Sequence, residues 1–290
     1  MRRWQRWLTW GVLALLFLVA TQVWAWWQRP TATILISQLS PLPAGPGLCP
    51  EGLSRAKSWP QYQPPEETAF VHPSNYGQRH QLDVWGQPIS YPPLIVLHET
   101  AGPADAAISL FQKDHTGRDD LQVSYHVIIR CDGTVVYLVP PEMRAYGAAP
   151  SSFRGEAVKT NPKGVFSVNN FAYHISLESP EDGYYRPPPQ SQPSQTPKPD
   201  MVTTTKAAPA PSSPPPTNPL FHSGYTDAQY QSLAWLIAKT CVPWERITTH
   251  KAVDTSGSRS DPRSFDWQKF RRYLNQYPRR REIFFGFHNE

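Results

Sequence analysis

The chain has 290 residues, of which 39% are hydrophobic and 18% charged, with 33 prolines against 16 glycines; this excludes a collagen-like repeat and a chain too polar to bury a core. Net charge is +5, but four of the 28 basic residues, Arg2, Arg3, Arg6 and Arg29, precede the first acid, Glu51, leaving 24 bases against 23 acids. The excess is local to the N-terminus and gives no case for nucleic acid.

From Trp7 to Trp27 there is no charge, the centre (Val12 to Ala20) is apolar, and the arginines sit on its N-terminal side. A basic start, an apolar run and Val23-Trp24-Ala25 fit a secretory signal, and the uncharged stretch is also long enough to span a bilayer. Residues 1–28 are therefore read as a signal peptide or a membrane anchor. By the positive-inside rule either one places the rest of the chain outside the cytoplasm, in the periplasm or cell envelope. Residues 29–91 form a proline-rich extension expected to wrap on a domain spanning 92–277. That domain is interrupted at 187–219, where 12 of 33 residues are proline and no apolar face exists to offset the entropy of ordering. Residues 278–290 are a tail.

Within the domain, 94–98, 123–130, 134–139 and 171–178 are β-branched or aromatic runs bounded by turn residues, hence strands. Asp132-Gly133 joins the second to the third as a hairpin. The last places His174, Ser176 and Glu178 on one face and Tyr173, Ile175 and Leu177 on the other. Thr226-Asp227-Ala228-Gln229 is a capping box opening a helix through Tyr230, Leu233 and Ile237, and a second helix starts near Asp266 with Trp267, Phe270 and Leu274 inward. The fold class is mixed α/β, a central mixed sheet flanked by helices. Export permits one disulfide, and Cys131, beside the hairpin turn, leaves Cys49 as the expected partner of Cys241.

Three segments carry metal chemistry: Leu97-His98-Glu99 at a strand end, Thr248-Thr249-His250 after a short strand, and Ser260-Asp261-Pro262 beyond it. Singly, a strand-end His or an Asp before Pro is ordinary polar or turn chemistry. Together, two imidazoles and a carboxylate suit a catalytic zinc, which takes three protein ligands and keeps a position open.

The surrounding residues resemble the zinc-dependent N-acetylmuramoyl-L-alanine amidases of the type-2 amidase and peptidoglycan-recognition superfamily. That family shows an apolar strand ending in His, and then Ser-x-His-x-x-Ile-x-x-Asp-Gly, similar here to Ser124-Tyr125-His126 through Asp132-Gly133. It continues with an Arg-Ala-Trp-His-Ala-Gly-like loop, matched by Arg144-Ala145-Tyr146-Gly147-Ala148-Ala149, and a Ser-Ile-Gly-Ile-Glu-like strand, matched by Ala172 to Glu178. A Tyr-Thr-x-x-Gln helix matches Tyr225 to Leu233, and the closing His with Asp-Pro and Phe-Asp-Trp matches His250, Asp261-Pro262 and Phe265-Asp266-Trp267.

The resemblance implies Zn2+ on His98, His250 and Asp261, and hydrolysis of the amide between N-acetylmuramic acid and L-alanine in peptidoglycan or muropeptides. The family's catalytic Glu falls on Ser176, so Glu178, two residues on, is the candidate base; Glu99, the competitor, points away by alternation. Arg259 stands where the family has an oxyanion-assisting Lys, and His126, Tyr146 and Ser176 are candidate substrate contacts. A non-catalytic peptidoglycan-binding receptor is the alternative, on the strength of Ser176. There is no Gly-x-Ser-x-Gly elbow, phosphate loop or His-Glu-x-x-His to support other enzyme classes.

Overall fold

The computed structural model describes residues 47–49, 58–184 and 221–286. The N-terminal segment 1–28 and the proline-rich insert 187–219 lie outside them. Among the described residues no helix is long and apolar enough to cross a membrane.

Ten strands occur in chain order: β1 (Gly47–Leu48), β2 (Glu66–Thr68), β3 (Tyr76–Gln78), β4 (Leu94–Glu99), β5 (Val127–Ile129), β6 (Val135–Tyr137), β7 (Met143–Ala145), β8 (Ala172–Leu177), β9 (Ile247–Thr249) and β10 (Arg280–Arg281). Among the described residues four α-helices accompany them: α1 (Ala104–Phe111), α2 (Asp227–Ala238), the single turn α3 (His250–Val253) and α4 (Trp267–Leu274). Six strands form the central sheet in the order β2-β6-β5-β8-β4-β9. β5, β8, β4 and β9 run parallel, β6 is antiparallel to β5, and β2 runs parallel to β6, so the sheet is mixed as expected.

β4 is flanked on both edges, by β8 and β9, which explains why Leu94-Ile95-Val96-Leu97 is an unbroken apolar run and why all six of its residues are buried. One face of the sheet, with Ile95, Leu97, Val127, Ile129, Tyr173, Ile175 and Leu177, is covered by α2 and α4. The other face carries Leu94 and Val96 under the loop residues Phe153, Val168 and Phe171, and Ile128 and Val136 under α1. In the capping box of α2, Thr226 Oγ1 accepts from Gln229 N and Gln229 Oε1 from Thr226 N. Asp266 caps α4 by accepting from Lys269 N at 2.8 Å.

The Asp132-Gly133 hairpin sets the register Val127↔Tyr137, Ile128↔Val136, Ile129↔Val135. Gly133 adopts φ +91°, and a Cβ there would lie 3.0 Å from both Ala228 Cβ and Ser232 Oγ, so the turn needs glycine for its conformation and for the approach of α2.

Both ends of the domain extend further than the sequence suggests. β2, from the proline-rich extension, is an edge strand of the central sheet, and β3 from the same extension pairs with β7. The tail supplies β10, which pairs with β1, and Phe285, buried in the core. Cys49 and Cys241 are disulfide-bonded, as expected, closing a separation of 192 residues. Around the insert, Ser223 N and Oγ donate to Asp182 at 2.8 and 3.0 Å, which ties the segment before it to the one that returns at 221, and Arg263 donates to the Gly183 carbonyl at 2.6 Å.

Candidate metal centre

Open parallel sheets place ligand sites beyond the carboxyl ends of their strands, and His98 and His250 stand there. His98 is the fifth residue of β4, while His250 directly follows β9 and opens α3, whose cap is Thr249 accepting from Ala252 N. Asp261 reaches the same point from the following loop, which is held against α3 by Lys251 N donating to the Asp261 carbonyl at 2.9 Å. Asp261 Oδ2 lies 3.1 Å from His250 Nδ1 and 3.4 Å from His98 Nδ1, and the donor atoms of the three residues fall within 4.8 Å of one another.

Burial dominates the electrostatics. It pushes the His98 imidazole down to about 4, so the ring is neutral with a lone pair to give. Burial alone would raise the Asp261 carboxyl, but the imidazoles of His250 and His98 hold it well below the usual carboxylate range. His98 Nδ1 is buried without a hydrogen bond, an orphan of the kind that a bound ion satisfies. Two imidazole nitrogens and one carboxylate are a three-ligand donor set that fits a divalent metal.

The ring of His98 is braced from the side. Tyr125 stacks on it with centroids 4.5 Å apart, and Phe111, at the end of α1, meets Tyr125 edge-on at 5.4 Å. From below, His174 Nδ1 sits 2.9 Å from His98 Nε2. Behind the sheet, the neighbouring Glu99 accepts from His222, Tyr225 and Arg263, which hold its carboxyl below the ordinary value against the opposing effect of burial. Because Arg263 follows Asp261 by two residues, that ion pair clamps one ligand-bearing segment to another. As expected from alternation, Glu99 faces away from the ligand trio.

Glu178 takes a different role from the one expected. Its Oε1 accepts from Ala104 N at 2.7 Å and its Oε2 from Cys131 N at 2.9 Å. α1 has no capping side chain of its own, since Pro103 occupies the N-cap; Glu178 supplies that cap from across the sheet and pins the hairpin with its other oxygen. Both carboxylate oxygens are committed to backbone N–H groups. Burial, and after it the Glu178 carboxylate, pushes the thiol of Cys131 up to about 11, away from the thiolate form.

Of the expected substrate contacts, Tyr146 lines an open cleft of about 940 Å³ together with His250, Arg259, Arg144 and Gly147. Arg259 is exposed on its rim, with its backbone N–H donated to Asp254 Oδ2 at 2.9 Å, and its charge contributes to lowering His98. His126 and Ser176 are wholly buried and do not line the cleft. His126 Nδ1 accepts from His174 N at 2.9 Å and its Nε2 faces the Met143 carbonyl at 3.1 Å, so it braces backbone and is not a substrate contact. Ser176 Oγ has no hydrogen-bond partner among the described residues. Sequence reasoning flagged the polar face of β8 but did not single out His174, Tyr125 or Arg263; the first was visible as one polar side chain in an alternating strand, while the other two have no local signal.

The central sheet thus brings together a His98, His250 and Asp261 trio that could hold a metal ion. The family model described as N-acetylmuramoyl-L-alanine amidase matches residues 87–264, more than half of the chain and inclusive of all three ligands. The chain belongs to that family. It is 30% identical over 156 residues to the 1,6-anhydro-N-acetylmuramyl-L-alanine amidase AmpD of Salmonella typhimurium; the match covers 52% of this chain and 57% of that relative, so the chain spans little more than half the length of the curated relative it matches. Among solved structures, it is similar to an AmpD crystal structure at 23% identity and TM-score 0.45, covering 73% of this chain and 96% of that one. It also resembles Citrobacter freundii AmpD, at 23% identity and TM-score 0.39, covering 72% and 90%. A third likeness is the Clostridium intestinale endolysin LysCS, at 15% identity and TM-score 0.40, covering 74% and 99%.

Proposed function

We propose that this protein is a zinc-dependent N-acetylmuramoyl-L-alanine amidase that hydrolyses the amide between the lactyl group of N-acetylmuramic acid and L-alanine in peptidoglycan or its fragments. The observation that carries the reading is the convergence of the Nδ1 atoms of His98 and His250 on Asp261 Oδ2, with His250 also lining an open cleft, in a chain of the amidase family. His98, His250 and Asp261 would hold the ion. When bound there, zinc supplies a Lewis acid that polarises an amide carbonyl and makes water acidic enough to attack near neutral pH.

This chain's own groups do the rest. Tyr146 and Arg144 form the cleft wall against which the muramyl peptide lies, with the Arg144 guanidinium 5.4 Å from the Tyr146 ring centroid. Arg259, on the rim beside His250, places a permanent positive charge for the oxyanion that develops on the scissile carbonyl; its fork donates hydrogen bonds but gives up no proton. Tyr125, Phe111 and the Glu99–Arg263 pair keep the ligand segments in place, so little reorganisation is needed on reaction. Action outside the cytoplasm, by an anchored or secreted form, is supported by the charge-free stretch Trp7 to Trp27 behind three arginines and by the Cys49–Cys241 disulfide.

The receptor reading keeps one specific argument: Ser176 stands where the family has its catalytic Glu, and Glu178, the nearest carboxylate on that strand, is bound as a cap. Incubating the zinc-loaded full chain with purified peptidoglycan and with muropeptides, followed by mass analysis, separates the two. Free stem peptide with an L-alanine amino terminus supports the amidase. An inert protein that holds zinc stoichiometrically and binds muropeptide establishes the receptor.

A further inference from the structure

Beneath the ligand trio, the structure holds two more buried imidazoles in an ordered chain. His126 Nδ1 accepts from the backbone N–H of His174, and its Nε2 faces the Met143 carbonyl, which fixes its proton on Nε2. The His174 ring lies flat against that of His126, at 10° and 5.7 Å between centroids, and presents Nδ1 to His98 Nε2 at 2.9 Å. All three rings are fully buried. An imidazole that gives one nitrogen lone pair to a metal must carry its proton on the other nitrogen. For His98, whose Nδ1 faces Asp261, that proton is on Nε2, and the acceptor in reach is His174 Nδ1.

A second observation concerns the room this takes. Gly147 approaches so closely that a Cβ there would lie 2.5 Å from His174 Cγ and 2.5 Å from His174 Nδ1, the atom that meets His98. The two positions touch, so any side chain at 147 would have to displace the His174 ring.

We propose that His174 is a positioning residue: by accepting the Nε2–H of His98 it selects the His98 tautomer and ring plane that deliver Nδ1 to the metal, and Gly147 is the clearance that lets it do so. The proposal rests on the zinc-site reading, and its test is separable from it because the readout is zinc affinity, not hydrolysis. Zinc dissociation constants of the full chain would be measured by chelator competition, with thermal melts alongside, for wild type, His174→Leu, His174→Asn, Gly147→Ala, His174→Ala and the Gly147→Ala/His174→Ala double variant. Orienting partners of this kind typically contribute 10- to 100-fold in metal affinity. Leu fills the space without an acceptor and should weaken zinc by about that factor, while Asn, whose Oδ1 replaces the Nδ1 acceptor, should recover most of it. Gly147→Ala should weaken zinc when His174 is present and add nothing when it is Ala. A folded His174→Leu protein with wild-type zinc affinity would overturn the proposal and leave His174 as filler. If His174→Leu does not fold, Gly147→Ala decides: wild-type affinity overturns the proposal, and a weakened site that the His174→Ala background no longer registers upholds it. Wild type that binds no zinc at all instead overturns the metal-site reading.

Discussion

Adjacent residues of the same two strands serve opposite ends. On β4 and β8, Ile95, Leu97, Tyr173, Ile175 and Leu177 face α2 and α4 and are dry hydrocarbon and ring; His98, His174 and Ser176 alternate with them and face the site, equally buried. The first face holds the fold by removing apolar surface from water, about 25 cal/mol per Å². The second gives up that stabilisation at each polar position and is tolerated because its imidazoles stay neutral and bond to one another. Function in this protein therefore occupies a few positions of a face that is otherwise apolar core through Leu94, Val96, Ile128 and Val136, while the opposite face carries core alone, and substitutions at the site and on that opposite face should separate.

The largest effect is expected at the trio. His98→Ala, His250→Ala and Asp261→Ala each remove one of three ligands, and each should abolish muropeptide hydrolysis and stoichiometric zinc while circular dichroism and the apo melting temperature remain those of a folded protein. Full activity in metal-free His98→Ala would refute the zinc mechanism.

The opposite pattern is expected one residue away. Ile175→Ala on the apolar face should lower unfolding free energy in urea by about 2–5 kcal/mol, with turnover per folded, zinc-loaded molecule unchanged. A rate loss without a stability loss would erase the division between faces.

Glu178 sharpens the comparison, because it lies next to the site in sequence yet acts as a cap. Glu178→Gln puts an amide N–H against one of two backbone N–H groups, leaving a donor unsatisfied at a cost of about 1–3 kcal/mol. The measurable outcome is reduced stability with kcat within a few-fold of wild type. A loss of more than 10²-fold in kcat at unchanged stability would restore it as the base.

The smallest effect concerns the neutral imidazoles. Burial, followed by the charge of Arg79, holds His126 well below its ordinary value. The unfolded chain takes up a proton as pH falls through about 6.5 and the folded one does not. This contribution to stability is therefore complete above about pH 6.5 and is lost as pH falls below it, at up to about 1.4 kcal/mol per pH unit. In chelator-treated protein, urea midpoints from pH 7.5 to 5 should fall, and His126→Gln should reduce that slope by one proton's worth. An unchanged slope would mean that His126 is charged in the folded state.

The sequence by itself determined most of the elements and singled out the His98, His250 and Asp261 trio. Local signals are short-range: a run of β-branched residues between prolines gives β4, Asp132-Gly133 gives the hairpin, Thr226 with Gln229 and Asp266 give the helix starts, and His98, His250 and Asp261 stand in motif residues that belong to the chain's family. Only the tertiary structure decided what the polar residues around them do. Glu178 became a cap because Ala104 and Cys131, 74 and 47 residues away, bring their N–H groups to it. Ser176 is buried because β8 lies between β5 and β4, His126 because it is packed just before β5 against His174, and His174 met His98 because parallel pairing sets Val96 opposite His174 and His98 opposite Ser176. Secondary structure follows from neighbours along the chain, but the partner of a buried hydrogen-bonding group is fixed by register and packing between segments far apart in sequence, and no local pattern encodes it.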